Sequence, residues 1–173
     1  MSEPLPELGS ERLWLRPFTL DDEEAFFELC RDPDIIRYVG NTPLRSLDEA
    51  RAALRTAPLS DYQRYGYGRL ACVWKASGAV IGFCGVKYLP ELGENELGYR
   101  FLPAFWGQGL ATEAGAAVIA DARARLHLTR LIGLVHPSNT ASMRVLDKLE
   151  FVREEELLHP QLGEPMIRFA RTL

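Results

Sequence analysis

Residues 96–114 read Glu96-Leu97-Gly98-Tyr99-Arg100-Phe101-Leu102-Pro103-Ala104-Phe105-Trp106-Gly107-Gln108-Gly109-Leu110-Ala111-Thr112-Glu113-Ala114. The first six residues alternate as a strand does: Glu96, Gly98 and Arg100 share one face, Leu97, Tyr99 and Phe101 the other. Gly107 and Gly109 then make a turn. From Gly109 to Leu126 the period is helical, with Ala111, Ala114, Gly115, Val118 and Ala122 on one stripe. A strand has run through a glycine turn into a helix. The free N–H groups of that helix start point into the turn, where the helix dipole is positive, so the turn can hold a phosphate or pyrophosphate. A tight strand–helix connection with no ligand is the other reading. No GxxxxGK[ST] is present, and no GxGxxG follows the first strand of a βαβ unit, which argues against nucleotide hydrolases and dinucleotide folds.

Working outward, the upstream chain offers three short strand signals, at Leu70 to Lys75, Ala79 to Lys87 and Glu94 to Leu102. Their short turns suggest an antiparallel meander. Downstream come a strand at Leu131 to Val135, a helix at Asn139 to Leu149, and strands at Phe151 to Glu155 and Met166 to Ala170. At the other end, Arg12 to Phe18 reads as a strand. Thr19 caps a helix rich in Asp and Glu, Pro33 ends it, and a short turn runs through Ile35, Ile36 and Tyr38. Ser46 and Glu49 form a capping box for a helix that Pro58 stops. Residues 59–68 read as a loop and residues 1–10 as a loose tail. The order predicts an α/β (α+β) protein built on one mixed sheet. No repeat or linker divides residues 1–173, which are expected to form one domain.

Composition sets the boundaries. The chain has 173 residues, 47% hydrophobic and 25% charged, which excludes intrinsic disorder. A net charge of −4 argues against a partner bound mainly through a nucleic-acid backbone. No apolar run is long enough to span a membrane, and the N-terminus lacks a signal-peptide core. Cys30, Cys72 and Cys84 make no CxxC pair, so reduced thiols in a cytoplasmic protein are expected. His127, His136 and His159 show no metal-ligand spacing; only His136 adjoins the expected cleft, as a wall residue.

The stretch LGYRFLPAFWGQGLATEA resembles motif A of the GNAT (Gcn5-related) N-acetyltransferases, in the ribosomal-protein-alanine acetyltransferase-like branch. HPSNTASMRVLDKLEFV is similar to that branch's motif B, and ERLWLRPFTLDDEEAFFEL to its first strand and helix. The resemblance covers about residues 11–172, in the family's order. It implies a strongly curved, mostly antiparallel mixed sheet flanked by helices. The fourth and fifth strands would splay apart to hold acetyl-CoA. Backbone groups of Phe101 and Leu102 would pair with the pantetheine arm, and Gln108, Gly109, Leu110, Ala111 and Thr112 would cradle the pyrophosphate. Asn139 would contact the CoA arm, cap its own helix, or both. The partners implied are acetyl-CoA and an amine acceptor, with no nucleic acid, membrane or metal, and a homodimer is possible.

Direct transfer to an amine needs a base, a polarised carbonyl and a partner for the leaving thiolate. Glu96 is the best candidate base; a solvated strand-end carboxylate is the bland alternative. Glu91 and Glu94 are weaker candidates. A backbone N–H near Phe101 would face the developing oxyanion. Many relatives place a Tyr acid where this chain has Leu146, which rules that acid out here. Ser142, one turn earlier, matches the branch's Ser and would meet the CoA sulfur; bonding back to its own helix is the alternative. Glu150 stands where Gly is usual before Phe151, so that turn either avoids positive φ or tolerates strain. Glu113 reads as a helix-dipole charge rather than a catalytic group. A binding module that senses an acyl-CoA or amine, and transfer of a different acyl group, are the competing functions.

The charge balance sharpens when split. Residues 1–96 carry a net −5, residues 97–150 a net +2, and residues 151–173 a net −1. Arg100 is the one charge before Glu113 in 97–112, leaving the pyrophosphate to backbone N–H groups, with Arg144 and Lys148 for an outer phosphate. The acidic run Asp21 to Glu24, Glu28, Asp32 and Asp34 is either a solvated face or an attractor for a cationic amine.

Overall fold

A computed structural model describes residues 4–39 and 42–173. Among these residues eight strands form one sheet in the order β1-β2-β3-β4-β5-β6-β8-β7. They are β1 (Leu8–Gly9), β2 (Leu13–Pro17), β3 (Arg69–Trp74), β4 (Val80–Leu89), β5 (Glu94–Phe101), β6 (Arg130–Val135), β7 (Val152–Leu158) and β8 (Pro165–Thr172). All neighbours are antiparallel except β5 and β6. That parallel pair is bridged at Glu96 and Ile132 and then diverges. These are the expected fourth and fifth strands, renumbered by the short β1.

Among the described residues six helices flank the sheet: α1 (Glu23–Arg31), α2 (Pro33–Ile36), α3 (Leu47–Thr56), α4 (Pro58–Tyr65), α5 (Leu110–Ala124) and α6 (Thr140–Lys148). Strand alternation gives the sheet two apolar faces. Leu70, Cys72, Cys84, Val86, Leu97 and Phe101 pack with Leu110, Ala114 and Val118 of α5 and with Leu146 and Leu149 beyond it. Ala71 and Phe83, on the other face, pack with Phe26 and Leu29 of α1 and Leu54 of α3. Gly133 lets α6 lie close on β6, since a Cβ there would meet Leu146 Cδ1 at 2.9 Å.

The predicted loop at 59–68 is instead largely α4. Pro58 ends α3 but also opens α4, at the first-turn position where its missing N–H is harmless. Gly66, left-handed at φ 77°, closes it. Tyr62 is buried, and its hydroxyl accepts from Phe18 N and donates to Arg69 O, which holds α4 to β2 and β3. At Thr19 the capped element is first a 3-10 turn, Leu20–Asp22, and α1 follows from Glu23. At α3 the Ser46 hydroxyl accepts from Glu49 N at 3.2 Å, while the Glu49 carboxylate takes the amide of Arg45. Glu150 does adopt positive φ, at 64°, so the strained alternative for that turn is the one realised.

The expected loose tail at residues 1–10 is corrected for its second half, while residues 1–3 lie outside the described residues. Leu8 and Gly9 pair with Leu15 and Trp14, and Leu5 and Leu8 pack on the core. The anchor is Glu113 of α5. Its carboxylate accepts from Ser10 Oγ at 2.6 Å, Arg12 N at 2.9 Å and Arg12 Nε at 2.9 Å. Burial alone would raise this carboxyl, but the bonds from Ser10 and Arg12 overcome it and hold it below the usual range. Glu113→Ala is therefore expected to destabilise the protein by about 2 kcal/mol at neutral pH. A group with a depressed folded pKa contributes stability above its unfolded pKa and loses it as pH falls through the folded one. Urea denaturation at pH 7 and near pH 3 should show the deficit shrinking at the lower pH; an equal deficit at both would contradict the assignment.

Candidate active site

The divergence of β5 from β6 opens a cleft of about 790 Å3, floored by β5 and walled by α6 and the start of α5. This is within the size range of small-ligand sites. Phe101, Gly109, Leu110, Ala111, Thr112, Asn139, Ser142 and Glu96 all line it; Leu102 and Gln108 do not.

At one end lies the glycine turn. Gly107 and Gly109 stand at φ 76° and 79°, so both positions demand glycine for conformation as well as for access. No side chain caps α5. The first helical bond runs from Glu113 N to Gly109 O at 3.0 Å, which leaves the N–H groups of Leu110, Ala111 and Thr112 without helical partners. Arg12 braces the turn from behind, donating from Nη2 to Gln108 O at 2.9 Å. Gln108 thus serves through its carbonyl, on the far side of the turn. These features fit a pyrophosphate bound by backbone amides. Arg144 and Lys148 of α6 are exposed along the same cleft.

The backbone of β5 settles which amides can meet a ligand. Leu102 N donates to Ile81 O at 2.9 Å, and Leu102 O accepts from Phe105 N at 2.9 Å. The Leu102 N–H is therefore turned to β4 and away from the cleft, while its carbonyl, with one bond from Phe105 N, keeps a second lone pair. Because Leu102 N–H points toward β4, alternation turns the amides of Phe101 and Tyr99 to the opposite edge, toward β6 and the cleft. Phe101 O is taken by Trp106 Nε1 at 2.8 Å. Its N–H is the group left facing the opening.

Glu96 sits at the apex, where β5 and β6 last pair. It is not a solvated strand-end residue: burial pushes its carboxyl up to about 7, against the opposing pull of Lys87, Arg69 and the Leu134 backbone amide. A carboxylate poised there can take a proton at neutral pH.

Across the cleft, the Ser142 hydroxyl bonds neither back to its own helix nor to solvent alone. It lies 2.6 Å from the Tyr99 hydroxyl, which also approaches Ser142 O at 3.3 Å. The sequence places Tyr99 on one strand face with Leu97 and Phe101; its pairing with Ser142 is not legible there, since nothing local to either residue specifies how α6 docks on β5. Burial pushes the Tyr99 phenol well above its ordinary value despite its hydrogen bond with Ser142, so it remains protonated and can donate to the Ser142 oxygen. Asn139 caps α6, its Oδ1 accepting from Ser142 N at 3.2 Å, and this orients the amide group beside the cleft. Leu146 is buried against Gly133. His136 is a wall residue, its ring 5.3 Å from that of Tyr38. Among the described residues, no group of three or more His, Cys, Asp or Glu is placed to hold a metal, and no helix is long and apolar enough to cross a membrane.

The acidic run at the N-terminal helix is mostly paired or solvated. Asp22 is locked to Arg16 at 2.8 Å, Glu23 to Arg51 at 3.0 Å, Glu28 to Arg31 at 3.3 Å and Asp34 to Arg37 at 2.6 Å. Of the run, Asp34 lines the cleft.

Comparison with known proteins bears on this geometry. The family model described as "Acetyltransferase (GNAT) domain" matches residues 12–152. The chain is 32% identical over 149 residues to the N-acetyltransferase p20 of Bacillus licheniformis, itself uncharacterized, covering 85% of this chain and 83% of that protein. Among solved structures, an acetyltransferase from Agrobacterium tumefaciens superposes with a TM-score of 0.83 at 24% identity, covering 99% of this chain and 96% of that one. The ribosomal-protein alpha-N-acetyltransferase RimL, solved in complex with coenzyme A, superposes with a TM-score of 0.78 at 18% identity, covering 99% of this chain and 98% of that one. These structural likenesses establish the fold.

Proposed function

Because this chain belongs to the GNAT acetyltransferase family, we propose that it moves an acetyl group from acetyl-CoA directly to a primary amine within the cleft between β5 and β6. The observation that carries the reading is the placement of Glu96. A half-buried carboxyl near neutrality stands at the point where the two strands part, in the same cleft as a glycine turn shaped for pyrophosphate.

Bound acetyl-CoA supplies the thioester whose C–S bond breaks as the new C–N bond forms. Glu96 accepts the proton that the attacking amine sheds, directly or through one water. The outward-facing N–H of Phe101 stabilises negative charge as it develops on the carbonyl oxygen. The Ser142 hydroxyl donates to the leaving sulfur, and Tyr99 positions that hydroxyl. The amides of Leu110, Ala111 and Thr112 hold the pyrophosphate, while Asn139 lies along the CoA arm. A sensor module of the same fold would need no base; Glu96 favours the transferase. The three buried, unpaired cysteines support a reducing, cytoplasmic setting.

The test is thiol release from acetyl-CoA over a panel of primary amines, with the acetylated product identified by mass. Turnover with at least one amine supports the reading, and none across the panel contradicts it. Ser142→Ala is expected to lower kcat by about tenfold or more, with acetyl-CoA affinity little changed. An unchanged kcat removes Ser142 from the mechanism.

A further inference from the structure

The floor of the cleft beyond Glu96 is basic. Cross-strand register puts Arg69 and Gly85, then Gly85 and Gly98, side by side, and likewise Lys87 with Glu96 and Phe83 with Arg100. Register partners point to one face, so Arg69, Lys87, Glu96 and Arg100 stand together around the bare backbone of Gly98. The side chain of Arg69 reaches across Gly85: its Cδ is 3.9 Å from where a Cβ on Gly98 would lie. Nothing else comes within 4 Å of that point, so the space over Gly98 is open.

The cations here make no close ion pairs, although Glu96 and Asp61 act on Arg69 and Lys87, and Glu91 on Lys87, at longer range. Among the described residues no carboxylate forms an ion pair with Arg69, Lys87 or Arg100. Arg69 Nε is buried without a hydrogen-bond partner, as is Asp61 Oδ2 on the neighbouring α4. Arg100 makes two long contacts of 3.3 Å, to Leu29 O and Cys30 Sγ, and lies over the Phe83 ring at 5.1 Å. The carboxyls nearby, Glu96 and Asp61, are both pushed toward the neutral form by burial. Buried charges are ordinarily paired, and a cluster of like charges without a counter-ion is destabilising. A substrate that brings the anion relieves it. Gly98 is two residues along the strand from Glu96, roughly 7 Å at about 3.3 Å per residue. An anion over Gly98 and an amine at Glu96 therefore belong to one small molecule or one chain end.

We propose that the acceptor is an amine that also carries a carboxylate, which Arg69 and Arg100 hold over Gly98 while the amine reaches Glu96. This rests on the transferase reading above and names its substrate class. Arginine suits the role because its planar fork matches a carboxylate with two parallel bonds. The carboxylate comes either from a free amino acid or from an acidic side chain near a peptide N-terminus.

The experiment measures initial rates of thiol release with acceptors matched in their amine. Glycine, β-alanine and γ-aminobutyrate, each with a single carboxylate, are compared with their amides, which carry none. A second arm compares short peptides with an acidic or an amide side chain at the second position. The acids are expected to show kcat/KM on the order of tenfold or more above the amides in one arm or the other, the scale of one charge-assisted hydrogen bond. Preference in the first arm assigns a free amino acid, in the second a chain end. Arg69→Gln and Arg100→Lys should shrink the acid-over-amide preference in kcat/KM and leave acetyl-CoA affinity unchanged by calorimetry; the change that losing Arg69 makes at the Glu96 carboxyl acts on acids and amides alike and cancels in that ratio. Arg69→Gln removes no hydrogen bond of its guanidinium, so it tests the site even where changes at Arg100 disturb α1. Acids and amides used alike, or variants that slow both equally, overturn the inference and leave the transferase standing. Failure to bind acetyl-CoA overturns both.

Discussion

Glu96→Gln is expected to lower kcat by about 10²–10⁴-fold, the usual contribution of a positioned general base, with acetyl-CoA affinity little changed. In the wild type, a base with its carboxyl near 7 must be ionised to work, so kcat/KM should fall as pH drops below about 7. Glutamine should abolish that limb. Stability should move the other way. A carboxyl whose folded pKa is raised costs the fold nothing while protonated. The fold loses stability as pH rises from the unfolded value through about 7, because the ion must then be buried. Glu96→Gln escapes this and should be more stable than the wild type at pH 8, by on the order of 1 kcal/mol after solvent screening. A slower but more stable variant is the signature of a strained functional group. A variant with normal turnover would remove Glu96 from the chemistry, and one destabilised at pH 8 would mean the carboxylate is a structural partner.

Gly109→Val is expected to have the second largest effect. Gly109 lies at φ 79°, and a β-branched residue there costs at least ~1–2 kcal/mol. The turn can relieve the strain by rotating out of the left-handed region, which would swing the amides of Leu110, Ala111 and Thr112 off their common point. Calorimetry should show acetyl-CoA affinity reduced by about tenfold or more. Gly109→Asn, which tolerates the left-handed region better, should fall between the two. Equal affinities across the series would show that the turn does not hold the pyrophosphate.

The site was legible where chemistry is local. The glycine turn, the helix that follows and the face that Glu96 shares with Arg100 can all be read from spacing within residues 96–114, since strand alternation and helix-start geometry are short-range. What sequence left open depends on contacts between distant segments. Glu113 read as a dipole charge, but its partners are Ser10 and Arg12, about a hundred positions upstream. The same anchor turns the expected tail into β1. The pairing of Tyr99 with Ser142 depends on how α6 docks, which Gly133 permits by its small size. The helix within 59–68 is hard to see in sequence because a proline that stops one helix, as Pro58 does, also suits the first turn of the next. The basic floor around Gly98 depends on the register of three strands, and the acidic charge of the N-terminal half gave no sign of it.

We take the cleft between β5 and β6 to hold acetyl-CoA, with its pyrophosphate at the start of α5. Calorimetric titration of the full chain with acetyl-CoA tests this most directly. The account predicts one site per chain, with an affinity that Gly109→Val weakens and Glu96→Gln preserves. No binding at millimolar acetyl-CoA, or binding that Gly109→Val leaves intact, would contradict it.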